Sequence, residues 1–130
     1  NLVTFEIEQL AIGPNPRAIV LSPDDSILYA TLNSSGKIVA FDLASKKVIK
    51  SVKTGSASRS LDISSDGSAL YVVNFTSDTI SKVRVSDFKV LQKIKACNEP
   101  IGITYEPLNK RVWVACYGGS IKVFSDSHSQ

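Results

Sequence analysis

The first hydrophobic pattern in the chain is an alternation. Val3, Phe5 and Ile7 stand against Thr4, Glu6 and Glu8, and a period of two predicts a strand with one buried face over Val3–Leu10. Ala18–Ser22 is a short apolar run of the kind that suits a strand covered on both faces. Pro23–Asp24–Asp25–Ser26 reads as a turn, because proline fits the first corner and aspartate bonds its own backbone. Ile27–Thr31 is then a second strand, and Leu32–Gly36 is a polar connection that ends in glycine. Lys37–Asp42 alternates again, with Ile38 and Ala40 opposed to Val39 and Phe41, and Leu43–Lys46 turns the chain into a polar outer strand, Lys47–Val52.

That unit recurs. Gly13, Arg17, Ser22, Asp24, Ser26, Leu28, Tyr29, Ile38 and Val48 return 42 residues on as Gly55, Arg59, Ser64, Asp66, Ser68, Leu70, Tyr71, Ile80 and Val90. The second copy predicts strands over Ser60–Ser64, Ala69–Val73, Thr79–Val85 and Val90–Ile94, with Asp66–Gly67 as a hairpin signal because glycine accepts positive φ. A third, looser copy starts at Cys97 and predicts Ile101–Tyr105, Arg111–Cys116 and Ser120–Phe124, its last strand slipping by one residue after Gly118–Gly119. Four short strands per repeat, with polarity rising from first to last, predict an all-β fold of β-propeller blades, each a four-stranded antiparallel sheet. A helical solenoid of the same period would need spacing near 3.6, which no segment shows. The expected organisation is an outer strand in 1–12, blades at 13–54 and 55–96, a blade at 97–124 that lacks its outer strand, and a serine-rich tail over 125–130.

Tyr71–Val72–Val73–Asn74 and the variant Tyr29–Ala30–Thr31–Leu32–Asn33 carry a family likeness. Together with Gly-x-x-Pro ahead of the first strand and Ser-Pro-Asp-Asp at the first turn, they resemble the YVTN-type β-propeller repeat. Trp113–Val114–Ala115–Cys116 and Gly118–Gly119 in the third copy look instead like the ending of a WD-type repeat. The resemblance implies blades and nothing more specific, since propeller functions sit in grafted sites. Such proteins include surface-layer and periplasmic proteins, lactonase-like enzymes and non-enzymatic binding platforms, so an extracytoplasmic location is the implied one.

Composition narrows this modestly. The 130 residues are 43% hydrophobic and 21% charged, values for one globular domain. No apolar run approaches the ~18 residues of a membrane helix. The chain starts at Asn1 and reads as a piece of a longer product. The net charge of +3 is mild, and the lysines 46, 47, 50, 53 and 89, 93, 95 fall in equivalent windows where they guard an exposed sheet edge. A nucleic-acid partner would need a continuous basic face with stacking aromatics and is not expected. Cys97 and Cys116 could bridge, but two free thiols are the expectation. His128, the only histidine, lies in the polar tail, so neither a metal nor another cofactor is expected.

Candidate chemistry is correspondingly sparse. Asp24, Asp25 and Asp66 belong to turns, and Glu99 is the one carboxylate expected near a central funnel. No nucleophile–base pair can be assembled, and no catalytic residue is assigned. Tyr29, Tyr71 and Trp113 share one repeat position and are expected to pack between blades. Asn33–Ser34–Ser35 and Asn74–Phe75–Thr76 match the glycosylation sequon. The loops into the innermost strands and after the second strands should share one face, carrying Asn15, Arg17, Asn33, Arg59, Asn74, Asn98, Glu99 and Tyr117. Arginine, tyrosine and asparagine suit recognition, although arginines in repeat register also bond neighbouring blades. The expected function is a non-catalytic binding or scaffold module recognising a protein or small ligand there; the alternative is a fragment of a lactonase-like enzyme whose catalytic residues lie in missing blades. Three blades would leave the outer flanks of the first and last open to water. The expected remedy is a head-to-tail homodimer making a six-bladed ring, each copy donating Val3–Leu10 to the other's last blade, or further blades of the same protein.

Overall fold

In the computed structural model, residues 6–126 are described. Eleven strands run in chain order: β1 (Pro16–Leu21), β2 (Ile27–Leu32), β3 (Lys37–Asp42), β4 (Lys47–Lys53), β5 (Ser58–Ile63), β6 (Ala69–Asn74), β7 (Thr79–Arg84), β8 (Lys89–Lys95), β9 (Pro100–Glu106), β10 (Arg111–Cys116) and β11 (Ser120–Ser125). They form antiparallel meanders in the order β1-β2-β3-β4, β5-β6-β7-β8 and β9-β10-β11. These are two four-stranded blades and one of three strands, with boundaries within two residues of those the alternation predicts. No helix among the described residues is long and apolar enough to cross a membrane.

The first turn of each repeat is built by its own side chains. In blade 1 the Asp24 Oδ1 accepts from the Ser22 hydroxyl at 2.7 Å, the Ser26 hydroxyl at 2.7 Å and the Ser26 backbone N–H at 3.1 Å. Asp66 does the same with Ser64 and Ser68 in blade 2. These bonds favour the charged form, and both carboxyls fall from the ordinary 3.8 to about 2. A depressed carboxyl contributes stability that is whole above pH 3.8 and drains as pH falls toward 2. Asp66→Asn is therefore expected to unfold at lower temperature than the parent at neutral pH, and the gap should close between pH 4 and pH 2. A gap of equal size at both ends of that range, by thermal melts, would disprove the turn role.

Blades pack face to face. Tyr29, Ile38 and Ala40 of blade 1 meet Leu61, Leu70, Val72, Val83 and Phe88 of blade 2. The other face of blade 2, with Ala69, Tyr71, Val73 and Ile80, meets Val112 and Val114 of blade 3. Stacked rings bridge both junctions, Tyr29 on Phe88 at 6.2 Å and Tyr71 on Tyr105 at 5.5 Å between centroids. Polar ties fix the register across them. Thr31 donates its hydroxyl to the Arg59 carbonyl at 3.1 Å, and Asp62 Oδ2 accepts the Tyr105 N–H at 2.6 Å. Lys50 leaves the outer edge, where it was expected to stand guard, and reaches the Ser86 carbonyl of blade 2 at 3.0 Å. A nearly buried pair, Lys82–Asp126 at 2.7 Å, closes the junction of blades 2 and 3, with the Tyr71 hydroxyl also donating to Asp126. Burial first, and then the bond to that carboxylate, push the Tyr71 hydroxyl far above the ordinary phenol range.

One expectation needs correction here. The strand expected over Val3–Leu10 is not formed at residues 6–10, which run as irregular chain, while 3–5 lie outside the described residues. An outer strand needs a ladder edge, and the three-stranded blade that offers one stands two blades away from it. The segment instead stays beside blade 1: Glu8 pairs with Lys46, and Ile12 packs on Ala30, Leu32 and Val39. On the outer flank of blade 1 Phe41 and Val39 are buried, while Ile19 and Leu21 of β1 on the same side stay exposed, as an open flank would have them.

Candidate functional site

The two sets of loops expected to share a face do so through a repeated backbone bond. Asn15, Ala57 and Glu99 occupy the left-handed region just before β1, β5 and β9, with φ of 55°, 58° and 53°. Each turns its carbonyl toward the exit of the second strand, accepting the N–H of Asn33 at 3.0 Å, Phe75 at 2.9 Å and Tyr117 at 3.0 Å respectively. The repeat therefore fixes three adjoining loop pairs on one end of the blades.

Two residues further back in these loops lies a clasp that the sequence reading missed. Positions 13, 55 and 97 face positions 32, 74 and 116, and the occupants are Gly–Leu, Gly–Asn and Cys–Cys. In blade 1 a Cβ on Gly13 would come within 2.6 Å of Leu32 Cδ1. In blade 2 a Cβ on Gly55 would come within 2.4 Å of Asn74 Cγ. In blade 3 the same two positions are joined by the Cys97–Cys116 disulfide, Cα–Cα 6.1 Å. The expectation of two free thiols is thus overturned. Laying the third copy on the first two at a strict 42-residue spacing places the cysteines opposite each other, and that signal was available in the sequence.

Asn74 is also corrected. Its side chain is fully buried. Its Oδ1 accepts from the Thr54 hydroxyl at 3.0 Å and the Ser58 hydroxyl at 3.3 Å. Its Nδ2 donates to the Thr79 hydroxyl at 3.1 Å and the Ser81 hydroxyl at 3.0 Å. All hydrogen-bonding capacity is spent inside the blade, so neither a ligand nor a glycan can use it in the folded protein. Asn33 is half-buried and donates Nδ2 to the Ser58 carbonyl of blade 2 at 3.1 Å, a tie between blades.

The remaining predicted residues reach the surface. Asn15, Arg17, Asn98, Glu99 and Tyr117 are exposed, Tyr117 at 71%. Arg59 is half-buried with its guanidinium 4.7 Å from the centre of the Phe75 ring, a contact worth about 0.5–1 kcal/mol at such a site. Among the described residues neither Arg17 nor Arg59 bonds a neighbouring blade through its side chain. Phe75 belongs to this face and was overlooked because it stands inside a sequon.

Charge separates the two ends of the blades. The end where the inner strands begin carries Arg17, Lys37, Lys53, Arg59, Lys95 and Lys122 against Asp78 and Glu99. All four ion pairs between described residues, Lys46–Glu8, Lys82–Asp126, Arg84–Asp87 and Arg111–Glu106, belong to the other end. There carboxylates are also tied into turns, as Asp42 is by Ser45. At the inner-strand end Asp78 Oδ1 accepts the Glu99 backbone N–H at 2.9 Å, and none of the six cations has a described ion-pair partner.

No protein-family model matches the sequence, and no curated protein matches it significantly. Solved structures do. Hydrazine synthase of Kuenenia stuttgartiensis is similar at 30% identity and a TM-score of 0.83, over 96% of this chain and 36% of that chain. The β-propeller domain of Myceliophteria thermophila Cps50 (Swd1) is similar at 15% identity and a TM-score of 0.82, over 92% of this chain and 38% of that one. U3-55K is similar at 17% identity and 0.79, over 88% and 37%. The chain spans little more than a third of the length of each. Its own sheets and these neighbours agree on the fold: the chain is all-β and built of β-propeller blades.

Proposed function

We propose that the protein is a YVTN-type propeller segment that works as a non-catalytic binding platform, using the end of the blades where the inner strands begin. The observation that carries this is the contrast between the two ends. One ties most of its carboxylates into turns and ion pairs, whereas the other presents Arg17 and Tyr117 beside exposed amides, with Arg59 half-buried against Phe75. Exposed arginine and tyrosine around backbone-fixed loops are the composition of a recognition surface. The blade boundaries at 13–54, 55–96 and 97–124 belong to the same reading, as does an oxidising compartment, which the Cys97–Cys116 bridge supports.

A photo-crosslinking residue in place of Tyr117 tests the face against one in place of Leu108, which is 89% exposed in the β9–β10 turn at the other end. Mixed with extract of the source cells, the first is expected to give discrete adducts that Arg17→Glu weakens. Adducts from position 108 alone, or equal adducts from both, would refute the assignment. The lactonase-like alternative has its own signature, lactone turnover that chelation abolishes, and its appearance would overturn the non-catalytic reading.

A further inference from the structure

At the junction of blades 2 and 3 the recognition end is hollowed over the disulfide. The recess, about 530 Å³, is lined by Lys95, Asn98, Ser120 and Lys122 around Ala96, Cys97, Cys116 and Gly118. Lys95 ends β8 and Lys122 stands on β11, so the two ammonium groups approach one hollow from two blades. Its lining holds two cations, an amide and a hydroxyl, and no carboxylate. Among the described residues none of those four side chains has a hydrogen-bond or ion-pair partner. The clasp beneath gives the hollow a fixed floor, because the bridge joins the chain ahead of β9 to the end of β10.

We propose that this recess seats carboxylate side chains of an acidic polypeptide segment, which then runs across the inner-strand approaches toward Arg59 and Arg17. The proposal rests on the platform reading above and names the chemistry of its partner. Charge is the first argument, since a face whose six cations are unpaired attracts an anionic chain and steers its approach. Shape is the second, since the hollow is open and suits a side chain presented from outside rather than an enclosed small molecule. Nucleic acid fits less well. Among the described residues Tyr117 is the only largely exposed aromatic residue on this face, where a single strand needs a series of stacking rings.

Fluorescein-labelled poly-glutamate, read by anisotropy against the purified protein, tests this, with poly-lysine and poly(U) as the other probes. Poly-glutamate is expected to bind and to weaken as salt rises from about 0.05 M toward 1 M, where the screening length falls to about 3 Å. Lys95→Glu/Lys122→Glu should weaken it at least about tenfold, a change of about 1.4 kcal/mol. Lys46→Glu/Lys47→Glu, the same charge change at the opposite end, should leave it within about twofold, as a distant exposed charge does. Lys95→Gln/Lys122→Gln should fall between, and thermal melts confirm that each variant is folded. Equal losses from the two reversals overturn the proposal, as does poly(U) binding more tightly than poly-glutamate. If Arg17→Glu removes binding and the lysine pair does not, the recess is wrong and the platform stands. If poly-glutamate fails to bind while Tyr117 still crosslinks a partner, the acidic class alone is wrong.

Discussion

Asn74→Ala is expected to cost the protein about 3 kcal/mol and to lower its melting temperature by roughly 10 °C. The substitution strips four hydroxyls of a partner at once, those of Thr54, Ser58, Thr79 and Ser81. A buried polar group left unpaired costs about 1–3 kcal/mol. The sum is held down because some of these groups have second partners: Thr54 and Ser58 lie 2.8 Å apart, and Ser81 donates to the Thr54 carbonyl at 2.8 Å. Gly55→Ala should be destabilising too, by driving its methyl into Asn74 Cγ. The double substitution decides whether the two act as one clasp. With alanine at 74 the amide carbon at 2.4 Å is gone and only the shared Cβ contact at 2.8 Å is left, so Gly55→Ala should cost less on the Asn74→Ala background than in the parent. Denaturant titrations of the four proteins measure the difference. Strictly additive losses would mean that the glycine and the asparagine are independent.

The same pair of positions shows what the sequence could disclose. Strand and turn are local, and a two-residue alternation closed by Ser-x-Asp-x-Ser states them outright. That is why the eleven strands fall where the pattern puts them. The clasp is not local: its members lie 19 residues apart in the chain, and only the repeat spacing brings Gly–Leu, Gly–Asn and Cys–Cys into one comparison. Asn74 was misread for a related reason. Asparagine in a loop is an ordinary recognition residue, and nothing in its identity tells that three hydroxyls of the second blade and Thr54 close over it. The exposure of Arg17 and Tyr117 was legible because it follows from their place beside fixed turns. The meeting of Lys122 with Lys95 at one recess was not legible, since it depends on how two blades meet. The N-terminal alternation was real but insufficient, because a strand forms only where an edge is within reach.

The outer face of blade 3 leads to the last expectation, an assembly heavier than 14.0 kDa. The outer flank of blade 1 exposes Ile19 and Leu21, and that of blade 3 is open in the same way. Trp113 pairs across the sheet with Val123, and Ala115 with Ile121, which puts them on the side away from blade 2. Ile121 is 60% exposed and Val123 44%. The repeat says what belongs there. Tyr29 stacks on a ring of the second blade and Tyr71 on a ring of the third, whereas Trp113, the next in register, has only the Arg111 guanidinium at 5.3 Å. Beside it β11 is a sheet edge that no strand among the described residues pairs. A propeller sheet in this position buries its apolar face against another sheet, whether from further blades or from a second copy. The purified protein at micromolar concentration is therefore expected to scatter light as a dimer or larger species. Ile121→Lys/Val123→Glu, which removes the apolar face while leaving every ladder bond, should shift it toward the monomer without lowering the melting temperature of the blades. A parent protein that remains a stable, monodisperse monomer would refute the assignment of this face as an interface. So would a double variant that assembles as fully as the parent.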